Sequence, residues 1–194
     1  MSRASVQTIG PSERRAEHLV GLPVLAGAGL LLLRLWILET SDATRIGLLL
    51  AVFAAILGAS LLVPVARDVA RLNPVAVLAV GLIGVGLAAA VAGRPAAAPL
   101  GAAALPLSLF AAVAEEALFR RAAYGWLDRY GAALAIAGSA LLFAAIHVPL
   151  YGAAAFPVDL GAGLLLSWQR WTSGTWTVPA ATHAAANLLA VISR

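Results

Sequence analysis

The sequence has no cysteine in its 194 residues, which excludes a disulfide framework, a thiolate metal site and a cysteine nucleophile. Lysine is absent as well. All 13 basic residues are arginine, which, beside the excess of alanine, reads as a GC-rich coding bias more than as a function. Charged residues are only 11% of the chain, and no basic cluster with interleaved aromatics accompanies the net charge of +4, so no nucleic-acid partner is expected. Internal repeats and a second domain are also missing. What the chain has in abundance is apolar surface: 62% hydrophobic residues and a mean hydropathy of +0.93 are not the figures of a soluble domain. The lipid bilayer is its expected solvent.

Read in order, residues 1–18 form a polar, flexible cytoplasmic tail, and Leu19 to Leu38 is an apolar run long enough to cross about 30 Å of hydrocarbon. No small-x-small cleavage pattern closes that run, so it reads as a retained first helix, with Arg34 near its end snorkelling outward. Further spans are expected over about Ile46–Val63, Pro74–Gly93, Leu100–Leu118, Gly131–Leu150, a short Pro157–Trp168 and Thr175–Ile192. Arg67, Asp68 and Arg71 make one polar connection, and Arg94 to Pro99, with its two prolines, makes another. Arginines counted in the short connections favour an inner N-terminus. Arg3, Arg14, Arg15, Arg67, Arg71, Arg129 and Arg170 stand inside, and Arg45, Arg94 and Arg194 outside. Trp168, Trp171 and Trp176 then fit an inner aromatic belt.

Ionisable groups inside these runs are the informative exceptions, because each costs roughly 2.5 to 3.5 kcal/mol at mid-bilayer. Glu115 and Glu116 lie in the fourth run, His147 follows Phe143 by four residues in the fifth, and His183 and Asn187 are four apart in the last. If the fourth helix ended at Arg120, the acids would lie about 24 Å in depth from His147. One helix continuing from roughly Pro106 to Arg129 removes that mismatch. On it Glu116 and Arg120 are i and i+4 and share a face, while Glu115 points about 100° away. One acid is thus expected to be neutralised by its arginine, and the other, without a cation, to act as general base. A base, two imidazoles and an amide donor are together able to activate a water and to hold an oxyanion. Against this stands the structural reading of Glu116 and Arg120 as a clamp between helices. Ser139, Ser167 and Gly161-Ala162-Gly163 read as helix contacts, and Asp159 as a residue of a helix N-terminus at the interface.

Three ordered motifs, Glu115-Glu116-x-x-x-Arg120, Phe143-x-x-x-His147 and His183-x-x-x-Asn187, resemble those of the CPBP intramembrane proteases, also called the Abi or type II CAAX prenyl endopeptidase family. The resemblance covers roughly residues 105–190, and Thr172 to Trp176 also looks like the family's loop before its last motif. It implies peptide-bond hydrolysis in the membrane, with Glu115 and His147 activating water and His183 and Asn187 holding the oxyanion. Glu116, Arg120 and Phe143 take supporting roles. A zinc mechanism using Glu115, His147 and His183 is chemically adequate, but His-Glu-x-x-His is absent and a glutamate mechanism explains Asn187, so no cofactor is the preferred expectation. Two departures stand out. Arg121 occupies the place of the family's usual glycine, and the sequence given ends soon after the His183 helix, where related proteases can carry one more.

The expected protein is therefore all-α, a polytopic bundle of about seven transmembrane helices with an enclosed active site. It divides into a tail (1–18), N-terminal membrane helices (19–95) and a protease-like core (96–194). Its expected place is a bacterial cytoplasmic membrane and its partner a membrane peptide or protein substrate, with the oligomeric state left open. The competing readings are a non-catalytic immunity or scaffold protein and a proton-linked transporter, the latter weakened by the lack of repeated halves.

Overall fold

Long apolar segments have few ways to satisfy their backbone N–H and C=O groups away from water, and the helix, which satisfies them internally, is the commonest. The computed structural model describes residues 11–64, 69–92 and 104–192, and among these the chain is helical with no strand. Helix α1 spans Pro11–Ile37, α2 Asp42–Leu62, α3 Pro74–Ala92, α4 Ala104–Glu116, α5 Tyr124–Asp128, α6 Ala132–Tyr151, α7 Phe156–Ser173 and α8 Thr177–Ile192. Between α4 and α5 the seven residues Ala117–Ala123 form a π-helix. These three pieces run end to end, so one rod from Ala104 to Asp128 carries both acids and both following arginines, and the described residues form seven rods. The Arg67–Asp68 connection and the turn expected from Arg94 to Pro99 lie outside the described residues.

Two boundaries differ from expectation. Helix α1 begins at Pro11, inside the segment expected to be flexible, with proline in the first turn where its missing N–H is harmless. Helix α7, expected to end at Trp168, runs to Ser173 and closes at Gly174, whose φ of 69° suits glycine and whose N–H returns to the Arg170 carbonyl. Gln169, Arg170, Thr172 and Ser173 are consequently buried. The placement of Arg170 in an inner surface loop is thereby corrected. Its Nε donates to the Arg120 carbonyl at 3.0 Å, and its guanidinium lies over the Tyr124 ring.

Helix α4 packs between α2 and α8, α3 leans on α7 and α8, α6 lies along α7, and α1 closes against α2, α6 and the π stretch. The α6–α7 approach is set by small residues: a Cβ at Gly163 would lie 3.0 Å from the Ala140 backbone. Ser139 and Ser167 join hydroxyls at 2.9 Å across the same seam, in the helix-contact role expected of them. The core collects Leu31, Phe53, Ile56, Leu118, Phe119 and Phe143. Outward faces are apolar too, with Leu25, Trp36, Leu62, Ile83, Leu87 and Val158 exposed. Among the described residues two helices, Thr44–Leu62 and Ala132–Tyr151, are long and apolar enough to cross a membrane, and three shorter apolar helices accompany them.

Candidate active site

The α4 rod places its two acids in different surroundings. Glu116 is fully buried, and its Oε1 accepts from Arg120 Nη1 at 3.0 Å, the pairing expected from their i, i+4 spacing. The same oxygen lies 2.9 Å from His183 Nδ1. Arg120 also donates from Nη2 to the Gly163 carbonyl at 3.1 Å, and its guanidinium stacks 4.6 Å from the Phe143 ring centre. Glu116, Arg120 and His183 thus tie three helices through one buried group of charges.

The π-helix is where this network meets the backbone. In π geometry Tyr124 N–H reaches back to Phe119 O, and the neighbouring Arg120 carbonyl is bonded by Arg170 Nε from α7. Single π turns commonly mark functional segments of helices. Arg121, the residue that departs from the family's glycine, points the other way. Its Nη1 donates to the Ser60 and Val63 carbonyls at the end of α2, where a cation also complements the helix dipole.

Glu115 faces a cavity of 390 Å³ that opens among α1, α4, α6, α7 and α8. His147 Nε2 is 3.6 Å from Glu115 Oε2, so the depth match required of a common site is met. His147 Nδ1 is 2.7 Å from the Phe143 carbonyl; a carbonyl only accepts, so Nδ1 carries a proton, and Nε2 is the ring nitrogen that faces Glu115. Tyr151 stacks on the same imidazole with ring centres 5.7 Å apart. Phe143 touches both imidazoles, at 4.5 Å from His147 and 5.7 Å from His183, and forms the apolar wall between the two acids' networks. Asn187 lines the cavity with His183, and its Nδ2 spends one N–H on the Ser108 carbonyl at 3.0 Å.

One expectation fails outright. Glu115 is not without a cation: Arg34 Nη1 donates to its Oε1 at 2.8 Å, with both side chains buried. Arg34 does not snorkel outward, because α1 packs against the π stretch and α6 and turns this arginine into the bundle, where a carboxylate is available. Asp159 lies in the first turn of α7, as expected, but it too lines the cavity, with Oδ2 buried and without a hydrogen-bond partner among the described residues. Arg34, Tyr151, Asp159 and Arg170 are the members of this region that motif reading missed. Only the cost of burying charge in an apolar helix marked Arg34 in advance.

Among the described residues no group of three or more His, Asp and Glu closes on a metal position. Glu115 gives one oxygen to Arg34, and His183 turns Nδ1 to Glu116.

Residues 97–189 match the family described as type II CAAX prenyl endopeptidase, Rce1-like, and all three motifs fall within that span. No curated protein and no solved structure matches the chain. Through this segment, which holds Glu115, Glu116, Arg120, Phe143, His147, His183 and Asn187, the chain is similar to the Rce1-like, CAAX-protease family.

Proposed function

We propose that this protein is an intramembrane endopeptidase in which Glu115 and His147 activate a water against a peptide carbonyl. The observation that carries the reading is the 3.6 Å separation of Glu115 Oε2 and His147 Nε2 at the cavity wall. That gap is too long for a direct hydrogen bond, and with the His147 ring neutral both atoms are acceptors, so a single water donating to each satisfies them and keeps a lone pair for attack. Glu115 takes one water proton as the oxygen bonds to the carbonyl carbon and the carbonyl π pair moves to its oxygen. On collapse the C–N bond breaks, and the departing nitrogen receives the proton that Glu115 holds. Holding base, orienting imidazole and substrate in one cavity supplies the proximity term of catalysis.

Asn187 keeps a second amide N–H for the oxyanion. His183, with Nδ1 on Glu116, contributes a donor there only as an imidazolium, through Nε2. Glu116 and Arg120 serve the architecture, and Phe143 separates the two acids. No cofactor is assigned.

The fuller setting belongs to the same proposal. All seven rods cross a bacterial cytoplasmic membrane, enclosing the cavity. Residues 1–18 are the cytoplasmic tail, 19–95 the N-terminal helices and 96–194 the protease core. With Arg170 taken out of the loop count, Arg3, Arg14, Arg15, Arg67, Arg71 and Arg129 still outnumber Arg45, Arg94 and Arg194, which favours an inner N-terminus. A leader peptide or a membrane-protein tail suits a substrate reached through the bilayer. One observation favours a second reading, a non-catalytic immunity or scaffold protein: the Arg34–Glu115 pair is also what a helix clamp would show.

Mass spectrometry of membrane peptides, from cells carrying the wild type or Glu115→Gln at equal folded amounts, tests the proposal. Fragments that vanish in the variant while an uncut precursor accumulates are the expected result. Identical peptide profiles, with protection or complex assembly intact, would favour the scaffold instead.

A further inference from the structure

Arg34 lies on α1, outside the segment matched to the family, and no motif assigns it a role. It is 93% buried on its 7% exposure, it lines the same cavity as Glu115, His147, His183 and Asn187, and Nη1 holds Glu115 Oε1 at 2.8 Å. Among the described residues, its Nε and Nη2 are buried and have no hydrogen-bond partner. A helix clamp accounts for Nη1 and gives the other donors no role. Arg120, by comparison, spends both terminal nitrogens, on Glu116 and on the Gly163 carbonyl, and leaves only Nε without a partner among the described residues.

We infer that Arg34 is a further catalytic residue, the cation that carries the reaction's negative charge as it moves from Glu115 to the carbonyl oxygen. The inference rests on the peptidase reading. Before attack the charge is on the Glu115 carboxylate and Arg34 neutralises it. When Glu115 accepts the water proton it becomes neutral, the new C–O bond forms, and the displaced π pair leaves the carbonyl oxygen negative. Arg34 keeps its proton throughout. The pair of opposite charges is therefore conserved across the step, so no net charge is created in a low-dielectric site, and the Nη1 donor freed by Glu115 is offered to the oxyanion. Preorganised donors of this kind are worth about 10²- to 10³-fold in turnover. The other cavity donors have prior commitments: one N–H of Asn187 is on Ser108, and His183 Nδ1 is on Glu116.

The test uses the full chain in liposomes, with the peptide whose release from membranes depends on Glu115 as substrate. Arg34→Gln is expected to lower kcat by about 10²- to 10³-fold with KM little changed. Arg34→Lys, which keeps the charge but not the fork of donors, is expected to recover part of that loss. Wild-type kcat in either folded variant, or a loss confined to KM, overturns the inference. Should Arg34→Gln not fold, Arg34→Lys decides alone, with a reduced kcat expected and a wild-type kcat contrary. The pair itself is read without substrate by infrared difference spectra, wild type minus Glu115→Gln. The Glu115 carboxylate band should shift in Arg34→Gln, and an unmoved band overturns the pairing. If Glu115→Gln itself cleaves normally, the peptidase reading fails; if Glu115→Gln is inactive and the Arg34 variants are not impaired, only the role of Arg34 fails.

Discussion

Glu115 and Glu116 are chain neighbours, yet the structure gives them opposite lives. Glu116 is wholly buried and saturated on one oxygen by Arg120 and His183. Glu115, 4% exposed, offers one oxygen to Arg34 and the other to a cavity that His147 shares. Helical geometry alone separates them by about 100°, and Phe143 fills the space between the networks. Two identical side chains thus acquire different chemistry from which neighbouring helix each one faces: α8 for Glu116, α1 and α6 for Glu115. A carboxylate held among fixed partners in three helices is suited to architecture, and one held at a water-sized gap from an imidazole is suited to proton transfer.

The comparison breaks if perturbing either network has the same consequence. On the Glu115 side, His147→Ala is expected to lower turnover by about 10²- to 10⁴-fold while the thermal unfolding of the detergent-solubilised protein stays near that of the wild type. Loss of folding in step with activity would place His147 among the structural residues. On the Glu116 side, Glu116→Gln leaves Arg120 charged and uncompensated where neither side chain has any exposure. Breaking such a buried pair costs about 3 to 5 kcal/mol, so a markedly lower unfolding midpoint is expected, and an unchanged one would contradict the clamp. The smallest effect is expected beyond both networks. Arg121→Ala removes the bonds to the Ser60 and Val63 carbonyls and is expected to cost about 1 kcal/mol with turnover unchanged; a large drop in turnover would mean that α2 steers the site.

What the sequence made legible followed from local geometry. The i, i+4 spacing identified Glu116 with Arg120, matched helix depths required one helix from roughly Pro106 to Arg129, close to the observed rod from Ala104 to Asp128, and small or hydroxylated residues in α6 and α7 foretold the seam at Ser139, Ser167 and Gly163. What escaped depended on which rods become neighbours. Arg34 and Glu115 are 81 positions apart, and nothing in the first apolar run says that α1 will lie against α6 rather than face lipid. A lone arginine near a helix end is then sent to the interface by the general rule, whereas an available buried carboxylate reverses it. Arg170 escaped for the same reason, because its partner is a backbone carbonyl beside a π turn and carries no sequence signal. His183 was grouped with Asn187 by their spacing, but its Nδ1 serves Glu116, a link that only the α4–α8 packing creates.

The most direct measurement is turnover per folded molecule of Glu115→Gln beside Glu116→Gln, in the same liposomes and with the same Glu115-dependent peptide. Glu115→Gln is expected to be folded and inactive, and whatever fraction of Glu116→Gln remains folded is expected to retain measurable cleavage. Cleavage at the wild-type rate by folded Glu115→Gln would contradict that expectation.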